Sequence, residues 1–121
     1  MLGKIGQIAI IVRDVNRATA YYRDVLGLKF LFAAPNLAFF DAGGTWLMLT
    51  PPEGEFTNHS NILYFDVDDI IAEHGRMKTG GVEFRTEPHA VHRDGGRELW
   101  LADFRDGEGN TFCLRSWRPA A

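Results

Sequence analysis

The sequence has a single cysteine, Cys113, so no disulfide can form within the chain, which is compatible with a reducing compartment. Positive charge is sparse: 13 Lys and Arg against 16 Asp and Glu leave a formal net charge of −3, and no five-residue run of cations occurs. Such a chain sets up no field to draw in a phosphate backbone, so nucleic acid is not an expected partner. Long apolar runs are also missing. Nothing approaches the roughly 18 residues of a membrane span. The opening "MLGKIGQIAIIVRDV" has one lysine, an apolar stretch interrupted by Gln7 and no small-residue cleavage site, so it reads as a strand. The expected location is the cytoplasm, with no membrane partner. Nucleophile elbows of the Gly-x-Ser-x-Gly type and P-loops are absent, and "GEGNTF" lacks the third glycine of a dinucleotide loop, which leaves a turn as its reading.

What is present suffices for one ordinary core, since 45% of the 121 residues are hydrophobic. "KIGQIAIIV" is rich in Ile and Val, and Asp14 after it has the side chain to cap a helix. In "VNRATAYYRDVLG", Val15, Ala18, Tyr21, Tyr22, Val25 and Leu26 recur at three- and four-residue spacing, and Gly27 supplies a left-handed stop. That predicts an amphipathic helix of about three turns. "LKFLFA", "LAFFDA" and "TWLMLT" follow as strands, separated by Pro35-Asn36 and Gly43-Gly44. The first half therefore reads β-α-β-β-β.

The second half repeats the order. "NILYFDV" is a strand, Asp68 or Asp69 caps a helix through "IIAEHGRMKTGG", and Gly80 and Gly81 end it. Strands are expected at "VEFRTE", "RELWLADF" and "TFCLRSW", with "HAVHRDGG" as loop or extended chain and "RDGEGN" as a turn. Superposing Val12 on Val67 puts Gln7 on Ile62, and superposing Leu49 on Leu114 puts Met48 on Cys113. The chain thus reads as one α+β domain over residues 1–121 made of two tandem βαβββ modules, approximately 1–50 and 61–118, joined by the polar linker "PPEGEFTNHS" at 51–60. One such unit cannot cover both faces of its sheet, so two must pack together, in one chain or between chains.

"IAIIVRDVNRATAYYRDVLGLKF" resembles the opening of the vicinal oxygen chelate superfamily, the glyoxalase, bleomycin-resistance and extradiol-dioxygenase relatives. "ILYFDVDDI" resembles the start of that family's second module, and "FRDGEGNTFCLRSW" its closing turn and last strand, with Gly107 and Glu108 where the family usually has Pro and Asp. The resemblance implies curved mixed sheets around a cleft, and a homodimer. In metal-dependent members, ligands stand on the first and last strands of each module; carried over, those positions hold Gln7, Met48, Ile62 and Cys113. Gln7 alone is an orthodox occupant. Ile62 offers no donor, and one amide with one thioether does not neutralise a dication. No metal or other cofactor is therefore expected, and a divalent metal enters only under the alternative of rearranged ligands.

Other chemistry-bearing residues have simpler readings. Met48 and Cys113 suit packing better than a soft-metal site, and nothing near Cys113 in sequence lowers its thiol pKa. His89 and His92, three apart in extended chain, fall on opposite faces of a strand, while His74 in the second helix and His59 in the linker read as solvated surface. Asp14, Asp68 and Asp69 stand where helix caps belong.

Strand alternation puts Ala9, Ile11, Trp46, Tyr64 and Arg115 on the faces of the four family positions, and Trp100 on a neighbouring strand, its face unassigned, is a further candidate. The expected ligand-binding set is Gln7, Trp46, Met48, Ile62, Tyr64, Trp100, Cys113 and Arg115. Its composition suits a small, largely hydrophobic or aromatic molecule, with a carboxylate or carbonyl meeting Arg115. The expected function is metal-free sequestration of such a ligand. The alternatives are a metal-dependent lyase, isomerase or dioxygenase, and an inactive assembly module.

Overall fold

A computed structural model describes residues 1–52 and 61–120. Most of the linker, including His59, lies outside the described residues. The chain divides into two compact units, Met1–His59 and Ser60–Ala121.

In the first unit, β1 (Gln7–Ile11) leads through Asp14 into α1 (Val15–Ala20), which continues as a π-helical stretch, Tyr21–Val25. The Asp14 carboxylate accepts from the Arg17 amide at 3.0 Å, satisfying one of the unpaired N–H groups at the helix start. Gly27, at φ 75°, turns the chain out of the helix. Strands β2 (Lys29–Ala34), β3 (Leu37–Ala42) and β4 (Thr45–Thr50) follow as hairpins, and the sheet order is β1-β4-β3-β2 with β1 and β4 parallel. On the helix side, Ile10, Val12, Ala38, Phe40, Leu47 and Leu49 are buried under Val15, Ala18 and Tyr22. Tyr22 and Phe30 flank Phe40 with ring centroids 5.8 and 5.5 Å away.

The second unit repeats this plan with β5 (Leu63–Asp66), α2 (Ile70–Thr79), β6 (Glu83–Phe84), β7 (His89–Asp94), β8 (Arg97–Arg105) and β9 (Thr111–Pro119). Asp69, rather than Asp68, caps α2, accepting from the Ile71 and Ala72 amides at 3.1 and 3.2 Å. The sheet order is β5-β9-β8-β6, and β7 also pairs with β8. Here the expected strand over "VEFRTE" is reduced to two residues, and "HAVHRDGG", expected as loop or extended chain, supplies a six-residue strand. Both pieces line the same edge of β8, so they are one strand broken near Pro88, which has no N–H to give the ladder. At the break the Asp103 amide donates to Thr86 Oγ1 at 2.9 Å in place of a backbone carbonyl.

The internal repeat is visible in the registers. The Val12 amide donates to the Thr50 carbonyl and the Val67 amide to the Arg115 carbonyl, both at 2.9 Å. Ala9 pairs with Met48 as Tyr64 pairs with Cys113. Ala38 opposite Leu49 matches Ala102 opposite Leu114, and Phe40 opposite Leu47 matches Phe104 opposite Phe112. No helix among the described residues is long and apolar enough to cross a membrane.

Candidate functional site

The sheet of the first unit has a second face, turned away from α1. Parallel pairing of Gln7 with Trp46, Ala9 with Met48 and Ile11 with Thr50 puts all six residues on it. The next strand adds Phe39, opposite Met48, and a bulge between Phe30 and Phe32 shifts the alternation of β2 so that Phe32 lies opposite Phe39. Phe32 and Phe39 stack at 4.4 Å, and Trp46 meets both edge-on at 5.6 and 5.8 Å. Although the rings pack on one another, Phe32 and Trp46 remain 43% and 39% exposed. Beside them the Gln7 amide donates to the Met48 sulfur at 3.6 Å. Neither Phe32 nor Phe39 stands out in the sequence, because their membership of this face depends on cross-strand register and on the bulge.

In the second unit the corresponding face is polar. Tyr64, Cys113 and Asp103 form one row across β5, β9 and β8, and Asp66, Arg115, Leu101 and His89 form the next, reaching β7. Ile62 lies immediately before β5 and is exposed. The Arg115 Nε donates to the Asp66 carboxylate at 2.7 Å, and this bond, with the charge behind it, raises the guanidinium pKa further. Cys113 is buried, donates to the Leu114 carbonyl at 3.3 Å, and has its pKa pushed up to about 12 by burial first and by the neighbouring Asp103 second. It is a protonated thiol at neutral pH, suited neither to nucleophilic attack nor to thiolate ligation.

Two placements depart from the sequence reading, those of the His89–His92 pair and of His74, and the structure assigns the face of Trp100. Trp100 pairs with Ser116, in alternation with buried Ala102 and Phe104, so it lies on the opposite side of the sheet from Cys113 and Arg115. There its indole N–H donates to Glu98 at 3.3 Å, and the Arg118 guanidinium sits 5.3 Å from its ring. His89 and His92 share one face rather than opposite ones, because a bulge between Ala90 and His92 inserts an extra residue and resets the alternation. His92 then approaches Trp117 edge-on at 6.5 Å, and Arg97 lies 4.0 Å over the same indole. His74 is buried, not solvated, since Ile70, His74 and Met77 form the inward stripe of α2, and its ring packs 4.3 Å from that of Phe84. Among the described residues no group of three or more His, Cys, Asp or Glu side chains is arranged to hold a metal ion.

The sequence profile described as Glyoxalase/Bleomycin resistance protein/Dioxygenase superfamily matches residues 4–114. Relatives include the uncharacterized protein YetH of Bacillus subtilis (strain 168), 25% identical over 95% of this chain and 99% of that protein. Fosfomycin resistance protein FosX of Listeria monocytogenes serovar 1/2a (strain ATCC BAA-679 / EGD-e) is 24% identical over 86% of this chain and 84% of its own length. Among solved structures, a superfamily member from Sphaerobacter thermophilus DSM 20745 superposes with a TM-score of 0.79 at 21% identity, over 95% of this chain and 98% of that one. A structural likeness at that identity speaks for the fold alone. With a match spanning nearly its whole length and two βαβββ units in the matching order, the chain belongs to the Glyoxalase/Bleomycin resistance protein/Dioxygenase superfamily.

Proposed function

We propose that this protein binds a small, largely hydrophobic or aromatic molecule without a metal ion, in the manner of a resistance or sequestration protein, and that it works as a cytoplasmic homodimer. The observation that carries the reading is the chemistry of the four family ligand positions. Gln7 turns its amide N–H toward the Met48 thioether, Ile62 has no donor, and the Cys113 thiol is held protonated. A hard divalent ion needs several anionic or imidazole donors, and this set provides none. The residues at these positions do not fit a hard metal ion.

The exposed rings of Phe32 and Trp46 support the choice of ligand. Aromatic side chains held against one another lose little further freedom when a flat molecule stacks on them, so the contact area converts efficiently into affinity. The relationship to a fosfomycin resistance protein favours an antibiotic-resistance role, and it equally keeps catalysis by rearranged ligands as the second reading. Elemental analysis of protein purified without an affinity tag tests the two against each other. The binding reading expects far less than one Zn, Ni, Fe or Mn per chain, and a stoichiometric metal would overturn it.

A further inference from the structure

The two units match in the residues of their cores but not in those of their far faces. Where the first unit has Ile11 opposite Thr50, the second has Asp66 opposite Arg115; where the first has Phe39 beside Met48, the second has Asp103 beside Cys113. Because Ile11 and Thr50 hold the same backbone register, the ladder does not need an ion pair at this place. Nor is the pair a strong source of stability, for the Asp66 side chain is 76% exposed and that of Arg115 41%, which leaves the contact open to screening by water. The charges therefore call for another explanation.

We propose that Arg115 binds the carboxylate of a small organic acid on the far face of the second unit, and that Asp66 is its tethered surrogate, orienting the guanidinium and weakening the ligand's hold by competing for it. The proposal extends the ligand-binding reading above to the far face of the second unit and rests on it. A guanidinium presents five N–H donors in a planar fork. Asp66 engages only Nε, and the terminal Nη groups hold no hydrogen bond to another described residue, so one edge of the fork is open to a bidentate carboxylate. Tyr64 stands in the adjacent row of the same face, more than half exposed, with a hydroxyl for the second lone pairs of the acid. Leu101, directly opposite Arg115, supplies an apolar neighbour for the carbon skeleton.

Benzoate and benzamide, alike in shape and different in charge, are the probes, with affinity read from backbone amide NMR shifts in the full chain. Wild type is expected to prefer benzoate, with shifts at Tyr64 and Arg115, and Arg115→Met, which keeps the stem and drops the charge, should bring the preference to about one. Asp66→Asn keeps an oxygen acceptor for Nε and removes the competing charge, so benzoate should bind about threefold tighter, the effect of one charge at about 6 Å in water. A benzoate preference unchanged by Arg115→Met, no benzoate binding, or benzoate weakened by Asp66→Asn would overturn the proposal. Failure of the broader reading has a different signature, the absence of any benzamide-induced shift at Phe32 and Trp46 in the first unit, which is read independently of Arg115.

Discussion

The Gln7 amide nitrogen and the Met48 sulfur lie 3.6 Å apart, donor to acceptor, so the two residues that the family resemblance sets at the first unit's ligand positions are bonded to each other. Gln7→Glu would exchange that donor for a carboxylate, which only accepts. One new anionic donor beside a thioether is still short of what a hard cation needs. Mn(II) titrated into this variant and followed by calorimetry should show no stoichiometric uptake, while the Gln7–Met48 bond is lost.

Cys113 should be chemically quiet in the folded protein. With its pKa pushed up to about 12 from a reference of 9.0, the native thiol has about a thousandfold less thiolate at pH 8 than an unfolded one. Iodoacetamide labelling followed by mass spectrometry should be slow in buffer and fast in denaturant, by a comparable ratio.

The same shift makes stability depend on alkaline pH. Between about 9 and about 12 the unfolded chain releases the thiol proton and the native chain keeps it, so the unfolded state binds fewer protons and stability falls as pH rises. Below 9 both states hold the proton and the contribution is complete. Urea melts at pH 8 and pH 10 should show a smaller alkaline loss for Cys113→Ala than for wild type, the comparison removing the other groups that titrate there.

The two helix caps occupy equivalent places in the repeat, and each closes orphan N–H groups. Asp14→Ala and Asp69→Ala should each cost about 1 kcal/mol, and Asp→Asn at either position clearly less, because Asn keeps an acceptor oxygen. Denaturant midpoints at fixed m-value would measure this.

His74 is a buried side chain whose Nε2 has no hydrogen-bond partner among the described residues, with the Glu87 carboxylate 3.6 Å away. A polar atom left unsatisfied in the interior is costly, and an apolar replacement of similar size removes that cost. His74→Leu should therefore fold with unchanged or slightly higher stability at neutral pH, whereas Phe104→Ala in the same core should lose about 3–5 kcal/mol. Thermal melts of the pair would separate the two cases.

By itself the sequence determined the doubled βαβββ order. Asp14 and Asp69, Gly27 and Gly81, and the apolar repeats of the helices are local signals, set by capping, by left-handed backbone and by periodicity. Strand alternation also sufficed to group Gln7, Trp46 and Met48, since β1 and β4 run without irregularity. The tertiary structure decided what local patterns do not encode. Bulges in β2 and β7 reversed the alternation, adding Phe32 to the aromatic face and gathering His89 with His92, and the break at Pro88 turned an expected strand and loop into two pieces of one edge. Trp100 and His74 likewise took their sides from the strands and helix packed against them. A period-two pattern is read along one chain, but an extra residue is accommodated only when a partner strand fixes which residues it faces, and that partner is distant in sequence.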